Sequence, residues 1–390
     1  MEPITVVHIS DLHISEHLLR GAAKFYIPHR YGHDVHAFLA LDAFLKGTKW
    51  DLLLITGDVS RIGNIQSFES VRNWLENQIF FGDTQIGLNL SKSPNRKYFI
   101  IPGNHDRFGG KLTQGSLDLY YSEFPVVRSG SVQSLTIHDQ RVNIHLFDST
   151  ISDGGFAYGR IEQKALISKT LADTDIDLAL LHHHFLQPPN HPREVATELT
   201  NSAEVAAYML KTGFDAIFFG HTHKGYIGKP SVDILSGFLN DKRKKPRFWT
   251  RLIPKFLVRK KESDCLVSYR REKAQNGQLP TLESYFDYLF LLQKGYELKG
   301  PSSFSNIRDF YKQINDASVD THIAVLLNRA RQKRILISLA PSACQAEAER
   351  NGFHVITFSR LSDDCLDTSW KYFEFDGSEF QVKPYDKHLL

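Results

Sequence analysis

Between residues 4 and 223 the chain repeats one pattern six times: a short apolar run that ends in glycine or in a cluster of polar residues. The runs are ITVVHIS, DLLLITGD, KYFIIPGNHD, VNIHLFDST, IDLALLHHH and FDAIFFGHTH. Their length and their β-branched and aromatic content predict buried strands. Apolar-periodic stretches at His36–Leu45, Ser67–Gln78, Ile161–Leu171 and Ser202–Leu210 predict helices between them. Strands alternating with helices specify a layered α/β fold. The 390 residues, 42% apolar and 23% charged, are enough for one large core or two smaller ones.

Beyond about residue 240 the texture changes to basic, aromatic and helix-favouring, with a Gly300-Pro301 break near its far end. Strand patterns resume in RILISLAP and GFHVITFSR, and WKYFEFDGSEFQV reads as a hairpin around Asp376-Gly377. This order predicts a core of residues 1–239 plus 334–390, interrupted by an insertion at 240–333. A separate C-terminal domain starting near 240 is the competing division. The start MEPITVVHISDLH has no basic, long apolar or small-residue cleavage segment, so no secretory signal is expected. Cys265, Cys344 and Cys365 are odd in number and in no metal-binding spacing, which fits a reducing compartment and a cytoplasmic location.

Charge is concentrated. Residues 242–261, KRKKPRFWTRLIPKFLVRKK, hold ten Lys or Arg and no acid, which leaves −7 on the rest of a chain whose total is +3. Arg247, Arg251, Lys255 and Arg259 recur every four positions beside Phe248/Trp249, Leu252/Ile253 and Phe256/Leu257, and Pro254 would kink a helix there. Three readings stand: a surface helix packed on the core, a peripheral membrane contact, and, with less support because the apolar set is largely aliphatic, a nucleic-acid grip.

The polar groups at the strand ends carry the chemistry. In order they are Asp11 and His13 in SDLH, Asp58 in TGDV, Asn104 and His105 in GNHD, a histidine of the 182–184 run, and His221 and His223 in FGHTH. Ligands gather at the carboxyl ends of strands in open α/β sheets. Carboxylate, imidazole and amide oxygen suit divalent transition metals, and D-x-H or H-x-H spacing on an extended segment would turn two side chains the same way. Eight groups suit two ions better than one. Two ions roughly 3.5–4 Å apart can hold a hydroxide between them and stabilise both oxygens of a phosphate displacement.

The ordered series Asp-x-His, Gly-Asp, Gly-Asn-His-Asp, His, Gly-His-x-His resembles the calcineurin-like metallophosphoesterase superfamily over residues 5–223, with weaker agreement at 334–385. The resemblance implies a four-layer αββα sandwich of two mixed sheets flanked by helices, with a helical insertion near the C-terminus. It implies two divalent ions, manganese, iron or zinc. Asp11, His13 and His223 would hold the first, Asp58 would bridge, and Asn104, His221 and one of His182 and His183 would hold the second. Placing Phe185 where the family has proline favours His183, with His182 as its rival and otherwise a substrate contact. His105 would meet the phosphate as oxyanion stabiliser or general acid, Asp106 would orient it, and Arg107 would contact phosphate. His17, His29, His33 and His36, with Arg20, Lys24 and Arg30, are weaker candidates for an entrance and read mainly as a solvated basic loop.

The expected activity is hydrolysis of a phosphodiester or pyrophosphate bond. A lipid-linked, nucleotide-diacylsugar-type substrate at a membrane surface is the alternative, and a nuclease or a non-catalytic binding module on the same fold follows it.

Overall fold

The computed structural model describes residues 2–15, 33–81, 83–108, 117–124, 130–150, 159–166, 171, 175–185, 199, 205, 208–209, 212–223, 225–229, 335–345, 350–362 and 365–384. The first half runs β1 (Ile4–Ile9), α1 (Val35–Gly47), β2 (Leu52–Ile55), α2 (Ile65–Glu76), β3 (Ile79–Phe81), β4 (Thr84–Ile86), β5 (Lys97–Ile100), α3 (Asn104–Phe108) and α4 (Leu117–Glu123). There follow β6 (Ser131–Ile137), β7 (Gln140–Leu146), β8 (Ile176–Leu180), β9 (Ala216–Phe219) and β10 (Tyr226–Gly228). The C-terminal part adds β11 (Leu336–Leu339), β12 (Gly352–Ser362), β13 (Cys365–Phe375) and β14 (Phe380–Lys383).

These strands build two mixed six-stranded sheets among the described residues, in the orders β14-β13-β12-β1-β2-β5 and β10-β11-β9-β8-β7-β6. The expected α/β sandwich of two mixed sheets is therefore present. In β1, Ile4 and Val6 face the second sheet while Val7 and Ile9 face helices, the two-residue period of a strand buried on both sides. Between the sheets lie Leu52, Leu54, Val142, Ile144, Leu178, Leu180, Phe218 and Leu336. Each fully buried aliphatic side chain contributes about 1.5–3 kcal/mol, so this layer fixes how the sheets sit on one another. His8 is tolerated there because both ring nitrogens are bonded, Nδ1 to Ser338 Oγ at 2.7 Å and Nε2 to Thr56 Oγ1 at 3.0 Å.

Helix α1 forms as its periodicity predicts: Phe38, Leu41 and Leu45 make one buried stripe, and Asp34 caps the start by accepting from the N–H groups of His36 and Ala37. Helix α2 packs beside it through Phe68, Val71 and Trp74, with Asn64 accepting from Ser67 N–H. On the outer face of the second sheet, Val205, Tyr208 and Met209 pack against Ile217, Phe219 and Phe214. The helix expected at Ile161–Leu171 is not formed in its described part, which holds one 3₁₀ turn at Gln163–Ala165. Arg160 N–H is drawn to Ser149 O at 3.0 Å and Glu162 is extended, so a helix has no room to begin at Ile161. The hairpin at Asp376-Gly377 is present, with Gly377 at φ 104° and the Asp376 side chain accepting from Ser378 and Glu379 N–H. Most of Ser202–Leu210, the basic stretch 242–261 and the whole expected insertion 240–333 lie outside the described residues. Among the described residues no helix is long and apolar enough to cross a membrane.

The C-terminal strands are not an appendage. Strand β12 pairs antiparallel with β1, and β11 lies between β9 and β10. A chain truncated at residue 239 would expose the edges of two central strands. Its thermal unfolding followed by circular dichroism should lose the cooperative transition of the full chain. A truncated protein that melts as sharply as the parent would contradict this.

Candidate metal centre

Each of the six main runs ends at one edge of the sandwich. The first sheet sends Asp11 and His13 after β1, Asp58 after β2 and Asn104 after β5; the second sends His182 and His183 after β8 and His221 and His223 after β9. Asp11, His13, Asp58 and His223 bring one ligand atom each within 4.8 Å of the others, and so do His182, His183 and His221. All the ligand residues expected from sequence meet there.

The contacts cross from sheet to sheet. His223 Nε2 lies 3.1 Å from Asp11 Oδ1 and 3.3 Å from His13 Nε2. His182 Nε2 lies 3.0 Å from Asn104 Oδ1, 3.2 Å from His221 Nδ1 and 3.4 Å from Asp58 Oδ2. Asp58 Oδ2 is also 4.0 Å from His13 Nε2, which puts this carboxylate between the two groups. Asp58 Oδ1 accepts the His105 backbone N–H at 2.8 Å, and Asp11 Oδ2 accepts that of His221 at 2.9 Å.

The backbone pays for this arrangement. Among the described residues eight non-glycine positions have positive φ, and five of them are Asp11, His13, Asp58, His221 and His223. Each left-handed residue costs about 1–3 kcal/mol and persists only where its surroundings over-determine it. The D-x-H and H-x-H pairs are thus not extended, as the sequence reading supposed; turns aim them inward. The motif glycines make room: at Gly57, φ 94°, a Cβ would meet His182 Nδ1 at 2.6 Å, and at Gly103 it would strike the Asp58 backbone and side chain.

Hydrogen bonds distinguish the neighbouring histidines. His182 Nδ1 is 2.6 Å from Thr56 O, a carbonyl that only accepts, so Nδ1 keeps its proton and Nε2, the nitrogen that can give one up to a metal, faces Asn104, Asp58 and His221. Ser149 Oγ accepts from the backbone N–H of both His182 and His183, so its own proton points to His183 Nδ1, 3.0 Å away. That leaves the neutral His183 protonated on Nε2, a nitrogen without a lone pair to offer. On this geometry His182, the rival in the sequence reading, turns Nε2 towards the other expected ligands, while His183 stays in the group with His182 and His221.

Two further expectations change. Asp106 does not orient His105: its oxygens accept from Val59 N–H, Ser60 N–H, Ser60 Oγ–H and Gly103 N–H, stapling the loop after β2 to the loop after β5. His105 is instead held through Nδ1 by Arg61 O at 2.9 Å, with its ring against His13 at a centroid distance of 4.7 Å. Arg107 is buried and donates to Thr150 Oγ1 at 3.3 Å, a place inside the loop packing. His33 is buried and accepts from Ser15 N–H, His36 is exposed on α1, and His17, Arg20, Lys24, His29 and Arg30 lie outside the described residues.

The electrostatics fit a pair of cations. Burial works to raise the Asp11 and Asp58 carboxyls, yet the imidazoles of His223, His182 and His105 hold both below the usual range. Burial opposes charge on His182, but the adjacent Asp58 lifts it to about 9, and Asp11 raises His223 in the same way. Burial lowers His13 to about 3 and depresses His221 strongly. In each facing pair, His182 with His221 and His223 with His13, 3.2–3.3 Å apart beside two buried carboxylates, a proton is held where a divalent ion could take the ring nitrogens as ligands. The buried His221 Nε2 has no hydrogen-bond partner among the described residues.

Residues 4–225 match the family model described as calcineurin-like phosphoesterase. The chain belongs to this family. Its members are typically binuclear-metal-dependent phosphoesterases, in agreement with the donor set above. Similar solved structures include the GAP50 anchor in the inner membrane complex of Plasmodium, 9% identical over 58% of this chain and 68% of that one, TM-score 0.33. Purple acid phosphatase PPD1 from yellow lupin (Lupinus luteus) is 14% identical over 58% of this chain and 39% of its own, TM-score 0.37. A metallophosphoesterase from Sphaerobacter thermophilus is 16% identical over 60% and 66%, TM-score 0.25. No curated protein matches.

Sequence reading missed the supports of this family site: Thr56 O, Arg61 O and Ser149 Oγ. Two are backbone carbonyls, which no side-chain pattern announces. Ser149 had a signal, since VNIHLFDST ends in a polar cluster like the other runs.

Without metal, His182 and His223 hold protons that an ion must displace, so affinity for manganese(II) should rise with pH towards about 9. Calorimetric titrations at pH 7 in buffers of different ionisation enthalpy should show net proton release; heats independent of buffer would contradict it. For the metal-free protein the sign is that of a raised histidine. The stabilisation from charged His182 is complete below its ordinary 6.5 and fades as pH rises through about 9.

Proposed function

We propose that this phosphoesterase hydrolyses a phosphodiester or pyrophosphate bond at a centre of two divalent ions, manganese, iron or zinc. Asp11, His13 and His223 would hold one ion, Asn104, His182 and His221 the other, and Asp58 both. Bound there, the ions supply Lewis-acid activation of water and neutralise phosphoryl charge. The core that carries the site is residues 1–239 with 334–390, and 240–333 is an insertion into it.

The observation that carries the reading is the placing of His105. Its ring is partly exposed, packs edge-on against His13, and is fixed at Nδ1 by Arg61 O. With Nδ1–H donated to that carbonyl, Nε2 is the nitrogen that offers a proton when the ring is charged. An alkoxide leaving from a diester needs such a proton to depart, and the phosphate leaving from an anhydride needs it less. Asp58 holds the His105 backbone at 2.8 Å, so the proton donor and the bridging carboxylate move as one unit.

His105→Ala should lower manganese-dependent hydrolysis of an alkyl phosphodiester about 10²- to 10⁴-fold, and that of bis-p-nitrophenyl phosphate by less, while metal content stays at the wild-type level. Wild-type turnover in that variant would remove His105 from the chemistry. Metal content also separates the neighbouring histidines: His182→Ala should lose about half of the bound manganese and His183→Ala should keep it. The opposite result would return the ligand role to His183. Wild-type protein that binds metal but turns over no phosphate ester would favour a binding module on the same fold.

A further inference from the structure

Three successive carbonyls in the turn that presents Asp11 and His13 are bonded by one loop from the far end of the chain. Ala343 N–H donates to Ser10 O at 2.9 Å, Ser342 Oγ–H to Asp11 O at 2.7 Å, and the Cys344 thiol to Leu12 O at 3.2 Å. The loop follows β11, in the second sheet, while the turn follows β1, in the first. It lies more than a hundred residues beyond the stretch that matches the family. All three donors are in buried residues.

The loop is itself braced. Ser342 Oγ accepts from Gln345 N–H at 3.0 Å, Ser342 O from Gly352 N–H at 2.8 Å, and Cys344 O from Asp34 N–H at 2.6 Å. On its other side the turn is fixed through its N–H groups, with Asp11 donating to Gly57 O, His13 to Asp58 O and Ile14 to Val59 O. These bonds alone leave the Asp11–Leu12 peptide free to rotate, because they hold no carbonyl of the turn. Asp11 and His13 both have left-handed φ, 53° and 49°, so relaxation of that peptide would swing their side chains out of the cluster.

We propose that Ser342, assisted by Cys344, is a positioning residue for the metal-binding pair Asp11 and His13. The inference rests on the two-ion reading above and deepens it: a segment outside the family match completes the site. Ser342 touches no reacting atom. It acts by keeping the Asp11 carbonyl turned away from the centre and the carboxylate turned into it.

The test is calorimetric titration of the full-length, metal-stripped chain with manganese(II), alongside thermal unfolding of the same metal-free samples. Wild type should bind two ions. Ser342→Ala should bind one of them about tenfold or more weakly, the loss typical of removing a group that orients a ligand, with the other little changed. Ser342→Cys, which keeps a weaker donor, should fall between. Asp42→Ala is the control, because Asp42 is a buried residue of α1 that accepts from Trp74 Nε1–H and Gly87 N–H, outside the loops of the centre. It should lower thermal stability without changing either affinity. If Ser342→Ala does not fold, Cys344→Ala removes the weaker donor and should shift the same binding event in the same direction. Wild-type affinity for both ions in folded Ser342→Ala or Cys344→Ala overturns the proposal, as does equal weakening by Asp42→Ala. Wild-type protein that takes up no manganese(II) would instead overturn the two-ion reading, a result visible before any variant is made.

Discussion

Two carboxylates, Asp11 and Asp58, lie fully buried within one cluster, and an ionised carboxylate in a protein interior is stable only with compensating charge held against it. The rest of the site follows from that demand. His223 stands against Asp11 and His182 against Asp58, each at a distance where a proton or a cation can be shared. A third buried carboxylate, Asp106, is met differently. Four donors from the protein surround it, and burial together with the nearby Asp58 pushes it up to about 7. Asp106 needs no ion, which is why it serves as a staple between loops while Asp11 and Asp58 face the centre.

The second constraint is steric. Left-handed backbone at five candidate ligands is a cost repeated at every corner of one pocket. It is sustained because the loops interlock: the turn after β1 donates to the loop after β2, and that loop is stapled to the one after β5. Remove one loop and its neighbours lose the partners that hold their strain. The glycines of the GD and GNHD motifs belong to the same account, since Gly57 and Gly103 sit where neighbouring loops approach too closely for a Cβ.

How far the sequence foretold this depends on which atoms carry the information. Strands such as β2 and β9 were legible because their side chains record burial on both faces, and Asp11, Asp58 and His221 because ligand chemistry resides in side chains. The left-handed turns were not legible, because aspartate and histidine, though enriched at positive φ, adopt it too seldom to announce it. Nor was the choice between His182 and His183, which depends on Thr56 O and the Ser149 hydroxyl more than thirty residues away in the chain. The helix expected from Ile161 failed for a related reason: the bond from Arg160 to Ser149 O, a tertiary contact, overrode local periodicity. Strand β6 was overlooked because SVQSLTI carries few apolar residues and is buried only at its last position.

The centre is therefore a property of how the sheets are packed, and of neither sheet alone. Asp11, His13, Asp58 and Asn104 come from the first, His182, His221 and His223 from the second, and the decisive contacts cross between them. A slide of one sheet over the other by about 1 Å would break hydrogen bonds of 2.9–3.0 Å at the edge. The aliphatic layer resists such a slide because interiors are close-packed, but apolar contact has little directional preference. Direction comes from polar pins within the layer. His8 reaches from β1 to Ser338 on β11, and its other nitrogen bonds Thr56, whose carbonyl receives His182. His8, which is itself no candidate ligand, thus registers the sheets at the residue that aligns His182, so that inter-sheet packing and ligand geometry are set by one continuous chain of contacts.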